Sequence, residues 1–135
     1  MIQQRDIDLA KGRIQVAYNR VAAAEDSLSH SHLRDALHSA YYAAYTAVRV
    51  ILNLEYEEQK KHGKNIGNFR LHYIKSGILD KKLSDYVREL YKYRDIGDYD
   101  LDFIPEHEIV SEMISNARIF VDEIYGYLQG KYFRD

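Results

Sequence analysis

The sequence contains no cysteine, one proline and seven glycines in 135 residues. Without cysteine, the chain can form no disulfide and offers no thiolate as a metal ligand or nucleophile. That usage is compatible with a reducing cytoplasm. No stretch approaches the roughly 20 apolar residues of a membrane span, and residues 1–8 lack the apolar run of a signal peptide. We therefore expect a soluble, cytoplasmic protein without a membrane partner.

The scarcity of proline and glycine also bears on the fold. A many-stranded sheet needs frequent turn residues, which this chain lacks. Alanine, leucine, glutamate, lysine and arginine are plentiful, and apolar residues recur at helical spacing. A chain of 135 residues fits one domain with its own core. The sequence therefore predicts a single all-α domain over residues 1–135, an up-down antiparallel bundle of four main helices plus one short helix.

The same periodicity places the first elements. Apolar residues at steps of three and four predict a first long helix over residues 7–28 and a second over residues 32–54. About three residues join them, so the two helices must pack antiparallel. Residues 55–64 lose the periodicity and are predicted to form a polar connection, which a short helix over residues 66–75 follows.

Glycine and proline place the remaining elements. Asp80 is expected to cap the third long helix. Gly97 is predicted to end or kink it, because glycine tolerates the left-handed geometry of a helix end. Pro105 is expected to open the last helix in its first turn, where its missing N–H costs nothing.

Basic residues are concentrated in residues 60–82. This segment holds seven lysines and arginines against Asp80 alone, a net charge of +6 in a chain whose total is −2. Aromatic rings are interleaved with these bases, a composition that suits phosphate contact with base stacking and equally suits a solvated lysine-rich face. The candidate phosphate-binding residues are Lys60, Lys61, Lys64 and Arg70.

Residues 86–103 carry the second notable pattern. Arg94 closes the apolar face of the third helix just before a turn crowded with aspartates. Asp98 stands at the i+4 position, where it can form an ion pair with Arg94. This pair, with Tyr99 packed behind it, could simply close the helix. Alternatively, Arg94 could hold a phosphate.

The histidines near the start of the second helix do not suggest a metal site. Helical spacing does not place His30, His32 and His38 on one face, and no acidic ligand is obviously placed beside them. We interpret them as surface histidines.

Four stretches carry a resemblance to a known family. They are Ala36-Leu-His-Ser-Ala-Tyr-Tyr-Ala-Ala-Tyr45, Lys61-His62 followed by Phe69, Arg94-x-x-x-Asp98-Tyr99, and Ala117-Arg-Ile-Phe-Val-Asp122. Their order and spacing resemble those of the HEPN domain family, in particular its small prokaryotic UPF0332 branch, over nearly the whole chain. The resemblance implies a helical bundle that pairs into a homodimer.

The resemblance also implies a function. Many HEPN proteins are metal-independent ribonucleases, often the toxin half of a toxin–antitoxin pair, with an Arg-x(4–6)-His motif duplicated across the dimer interface. Some family antitoxins are minimal nucleotidyltransferases that modify a tyrosine near that motif, and Tyr99 is a candidate acceptor although it is offset from that pattern. The expected ligands are RNA or a nucleotide, the expected partner is a nucleotidyltransferase, and no cofactor or metal is expected.

The motif is only half present. Arg94 occupies the arginine position, but residues 99–101 are tyrosine, aspartate and leucine. Cleavage needs one group to deprotonate the RNA 2′-hydroxyl and another to protonate the leaving oxygen, tasks that suit histidine because its pKa is about 6.5. Tyr99, with an ordinary pKa of about 10, is a poor base. Asp98 could act as base, but the Arg94 ion pair explains it more simply. His62 is the predicted replacement.

Two hypotheses remain open. In the first, the chain is a homodimeric toxin–antitoxin protein that binds RNA or a nucleotide and acts with a nucleotidyltransferase. Its candidate catalytic residues as a metal-independent endoribonuclease are Arg94, Asp98, Tyr99 and His62. In the second, it is a non-catalytic helical binding or adaptor module that keeps the dimer and has lost the active site.

Overall fold

The computed structural model describes residues 1–57 and 59–134, and over these residues the regular structure is entirely helical. The all-α prediction is confirmed. The elements are α1 (Gln4–Ser29), α2 (Leu33–Glu55), α3 (His62–Phe69), a π-helical segment (Arg70–Ile74), α4 (Lys82–Tyr99) and α5 (His107–Lys131). Within the described ranges, no helix is both long enough and apolar enough to cross a bilayer.

Helix α2 is the central element of the bundle. It packs against α1, α3, α4 and α5. Its alanines keep the helix narrow, so neighbouring backbones can approach it closely, while large apolar residues between them fill the core. The fully buried alanines of α2 are Ala36, Ala40, Ala43, Ala44 and Ala47. Predicted α1 and α2 agree with the structure to within three residues at each end.

The segment after α2 differs from its prediction. Helix α3 begins at His62, inside the predicted polar connection, and the predicted short helix ends in the π-helical segment. Asn65 explains the early start. Its side chain is 1% exposed and donates to the Tyr45 hydroxyl and to the Gln59 carbonyl, both at 2.9 Å. These contacts with a distant helix and a loop stabilise a turn that the local sequence does not favour.

The predicted ends of the last two helices also need correction. Gly97 does not end α4, which continues to Tyr99, and the left-handed glycine of the described chain is Gly77 instead, with φ +81°. Gly97 is buried against α2, where a Cβ would lie 3.6 Å from Leu37 Cδ1. Pro105 stands two residues before α5, because Glu106 is the N-cap residue. Packing against α2 therefore extends α4 past its glycine.

A basic aromatic cleft as the candidate active site

Arg94 lies in a cage of tyrosine rings. Its side chain is only 11% exposed, and its guanidinium carbon is 5.0, 5.7 and 5.1 Å from the ring centroids of Tyr41, Tyr42 and Tyr91. Ring faces at these distances attract a cation. Burial by itself lowers the pKa of Arg94, but Tyr42, Asp98 and Tyr41 raise it above the usual value. The cage therefore holds a permanent positive charge.

The polar contacts of Arg94 are incomplete. Nη1 donates to Asp98 Oδ2 at 3.5 Å, which is the predicted i,i+4 pair. That distance is long for a charged hydrogen bond, which is usually about 2.8 Å. Within the described chain, Nε is buried without a hydrogen-bond partner. Because an unpaired buried donor costs free energy, such a group calls for a partner. Arg94 keeps donor capacity for a ligand.

His62 lies beside the same cage. Its ring stacks on Tyr45 with centroids 3.5 Å apart and planes 6° from parallel. His62 Nε2 forms a hydrogen bond with the Tyr41 hydroxyl. Burial, followed by the positive charges of Arg94 and Arg49, lowers the pKa of His62 below 6.5. The imidazole is therefore mainly neutral at pH 7, the form that can accept a proton.

A cleft of about 540 Å³ opens between α2, α3 and α4. Arginine, histidine and tyrosine side chains supply most of its polar surface. Arg70 is oriented there by a hydrogen bond from its Nε to Ser84 Oγ at 2.9 Å. Three guanidinium groups around one opening attract an anion such as phosphate. The lining residues are Tyr42, His62, Gly63, Ile66, Arg70, Val87, Arg88, Tyr91 and Arg94.

The other predicted phosphate-binding residues are placed differently. Lys61 and Lys64 are exposed near the start of α3. Lys60 lines a second, polar cavity of about 630 Å³. Tyr45, on which His62 stacks, lines this cavity as well. Of the four residues, Arg70 alone lines the Arg94 cleft. The three lysines can contribute a positive field around the cleft.

Tyr99 does not pack behind Arg94. It is 74% exposed, at the last position of α4, so that interpretation was wrong. A local pattern could not show this, because the direction of the side chain depends on where the following loop turns.

His38, interpreted from the sequence as a surface histidine, adjoins the site. His38 Nδ1 lies 3.2 Å from Asp98 Oδ2, the same oxygen that faces Arg94. The two residues are 60 positions apart in the chain, so local spacing could not reveal the contact. The one available signal was the i,i+4 spacing of His38 and Tyr42, which places both on one face of α2.

The geometry can now be compared with known proteins. The sequence pattern of the HEPN domain family matches residues 10–127. The chain belongs to the HEPN domain family. Its relatives include two proteins of Methanocaldococcus jannaschii. One, named "Putative toxin MJ0142", is 29% identical over 80% of this chain and 74% of its own. The other, named "Putative toxin MJ0605", is 29% identical over 82% of both chains.

A third relative supports the predicted branch. A protein of Thermotoga maritima named "UPF0332 protein" is 28% identical over 72% of this chain and 74% of its own. The resemblance to UPF0332 proteins within the HEPN family is thereby confirmed. In this HEPN protein, Arg94, Asp98 and His62 lie around one tyrosine cage, while Tyr99 points to solvent.

Proposed function

We propose that this HEPN protein is the toxin-type component of a toxin–antitoxin pair and that its Arg94 cleft binds and cleaves RNA. The names of the two Methanocaldococcus relatives support the toxin assignment. The family resemblance supports a homodimer and a minimal nucleotidyltransferase as the partner. The substrate would be single-stranded RNA, whose phosphates and unstacked bases suit a cleft of arginines and tyrosines.

One observation carries the proposal. Arg94 is held among three tyrosine rings with its Nε unpaired, beside a cleft that Arg70 and Arg88 also line. A purely structural arginine would be expected to satisfy its buried donors within the protein. A phosphodiester entering the cleft would accept hydrogen bonds from the Arg94 guanidinium that lines it, and the rings could stack on a neighbouring base.

The reaction would be transesterification within the RNA. The 2′-oxygen attacks the adjacent phosphorus as its proton passes to a base, and the P–O5′ bond breaks as the leaving oxygen takes a proton. The products are a 2′,3′-cyclic phosphate and a 5′-hydroxyl. Arg94 would stabilise the charge that develops on the phosphoryl oxygens. His62, mainly neutral at pH 7 because of its lowered pKa, would be the base.

Tyr99 suits the proposed control by a nucleotidyltransferase. Its phenol is exposed at the end of α4, five residues after Arg94. Attack of the phenol oxygen on the α-phosphate of a nucleoside triphosphate would release pyrophosphate and leave a nucleotidyl group on Tyr99. The added negative charge would stand five residues after Arg94, outside the cleft lining, and would repel the phosphates of an approaching RNA.

The proposal is tested with purified wild-type protein, Arg94→Ala and Arg94→Lys on a mixed RNA pool, with products resolved on gels and protein mass measured by light scattering. We expect a dimer whose cleavage falls about 100-fold or more in both variants. Arg5→Ala, on the exposed start of α1, is the matched control and should cleave normally. A wild-type dimer that neither binds nor cleaves RNA would favour the adaptor hypothesis instead.

A further inference from the structure

A second histidine adjoins Arg94 in addition to His62. Asp98 Oδ2 is 3.2 Å from His38 Nδ1 and 3.5 Å from Arg94 Nη1. One carboxylate oxygen thus joins the two side chains. His38 Nδ1 and Arg94 Nη1 are therefore separated by no more than the sum of these two distances. A phosphate is small enough to touch a guanidinium on one side and an imidazole at this distance on the other.

The ring of Tyr42 connects the two histidines. It lies 4.7 Å from the His38 ring and 6.0 Å from the His62 ring, between centroids. It is also one of the three rings around Arg94. His38, Arg94 and His62 therefore surround a single aromatic side chain that lines the cleft.

The two histidines differ in what their nitrogens can do. The Tyr41 hydroxyl engages Nε2 of His62, whose ring is covered by Tyr45. The His38 side chain is 48% exposed, and Asp98 engages its Nδ1. A carboxylate on Nδ1 sets the ring orientation and leaves Nε2, on the far side of the ring, for proton exchange with a substrate.

We propose that His38, which lies on α2, is the general acid of the RNA cleavage site. It fills the role of the histidine that is missing after Arg94. His38 Nε2 donates its proton to the leaving 5′-oxygen as the P–O5′ bond breaks, and His62 takes the proton of the attacking 2′-hydroxyl on Nδ1, since Tyr41 engages its Nε2. Arg94 holds the phosphoryl oxygens. Asp98 is a positioning residue, since it acts through His38. The proposal rests on the ribonuclease function proposed above.

A substrate with a modified leaving group isolates the general acid. In RNA with a bridging sulfur in place of the 5′-oxygen at one linkage, the leaving thiolate needs no proton because thiols are far more acidic than alcohols. We expect His38→Ala to slow cleavage of the natural linkage by about 100-fold or more. The same variant should cleave the sulfur linkage within a few-fold of the wild-type rate. His62→Ala should be slow on both linkages.

The controls separate this proposal from the ribonuclease proposal. His32→Ala, at the exposed N-cap of α2, should behave as wild type, and circular dichroism checks that each variant folds. Should His38→Ala cleave the natural linkage at the wild-type rate, or lose both linkages equally, the general-acid role is overturned. A large loss in Arg94→Ala would then leave the ribonuclease proposal standing. A wild-type protein that cleaves neither linkage overturns both proposals.

Discussion

Arg34 Nη1, in the first turn of α2, donates a hydrogen bond of 2.5 Å to the carbonyl of Gly97 in the last turn of α4. The same guanidinium also donates to the carbonyls of Asp100 at 2.9 Å, Leu101 at 3.3 Å and Phe103. One side chain thereby holds the end of α4 and the loop that follows it. Asp98 lies within this stretch, so Arg34 helps to hold the segment whose carboxylate contacts Arg94 and His38.

Replacing Arg34 should loosen this end of α4. The lysine of Arg34→Lys keeps the positive charge, but its compact ammonium group cannot donate to four carbonyls as the planar guanidinium does. We expect both Arg34→Lys and Arg34→Ala to lower the free energy of unfolding by about 2 kcal/mol. Amide hydrogen exchange of residues 97–104 should become faster. Denaturant unfolding measures the first effect, and Arg5→Ala, on exposed α1 surface, should change neither quantity.

Gly97 should accept a side chain, contrary to its predicted role at a helix end. It has helical geometry, and a Cβ there would make an ordinary 3.6 Å contact with Leu37. We expect Gly97→Ala to raise the free energy of unfolding by about 0.5 kcal/mol. Gly77→Ala is the matched control, because Gly77 has φ +81° in open space, and should lower it by about 1 kcal/mol. Thermal denaturation of the two variants measures both changes. A Gly77→Ala protein more stable than Gly97→Ala would contradict this prediction.

His62 should titrate below pH 6.5, because burial and then the charge of Arg94 disfavour its protonated form. NMR of the ring carbon-bound protons against pH measures this midpoint, with the signal assigned from its loss in His62→Gln. Removing the positive charge in Arg94→Gln should raise the pKa of His62 toward 6.5. An unchanged midpoint in Arg94→Gln would show that the guanidinium does not act on the imidazole. Arg5→Gln serves as the control.

Glu55 should make stability depend on pH. Its side chain is 9% exposed and accepts hydrogen bonds from the hydroxyls of Tyr73 at 2.7 Å and Tyr127 at 2.8 Å, from Lys131 Nζ at 3.0 Å and from Tyr132. Burial alone would raise the pKa of Glu55, but these donors hold it below the ordinary 4.5. The carboxylate therefore stabilises the folded state above pH 4.5, and this stabilisation is lost as the pH falls from there through the folded-state pKa.

The variant Glu55→Gln tests this dependence. It should lower the free energy of unfolding by about 2 kcal/mol at pH 7. The difference from wild type should shrink as the pH falls from 4.5 through the folded-state pKa, because the wild-type carboxyl then becomes protonated as well. Urea unfolding between pH 3 and pH 7 measures both effects. A difference that stays constant over this range would exclude an ionised Glu55 as the source. Glu89→Gln, exposed on α4, is the control.

Local sequence was sufficient wherever the determining contacts are close in the chain. Helices α1 and α2 follow from apolar residues three and four positions apart, which only a helix places on one side. The Arg94–Asp98 pair follows from the same geometry, since residues four apart on a helix are neighbours. The early start of α3 could not be predicted, because it depends on the Asn65 side chain bonding to Tyr45, 20 residues earlier.

The sequence by itself determined the helical class, the extents of α1 and α2 and the Arg94–Asp98 pair, because each depends on spacings of one or two helical turns. Only the tertiary structure decided what surrounds that arginine. Tyrosines of α2 and α4 enclose it, His62 stacks beside it, and His38 comes to Asp98 from 60 positions away. The physical reason is that these contacts join different helices, whose relative placement depends on burying the core of the whole bundle.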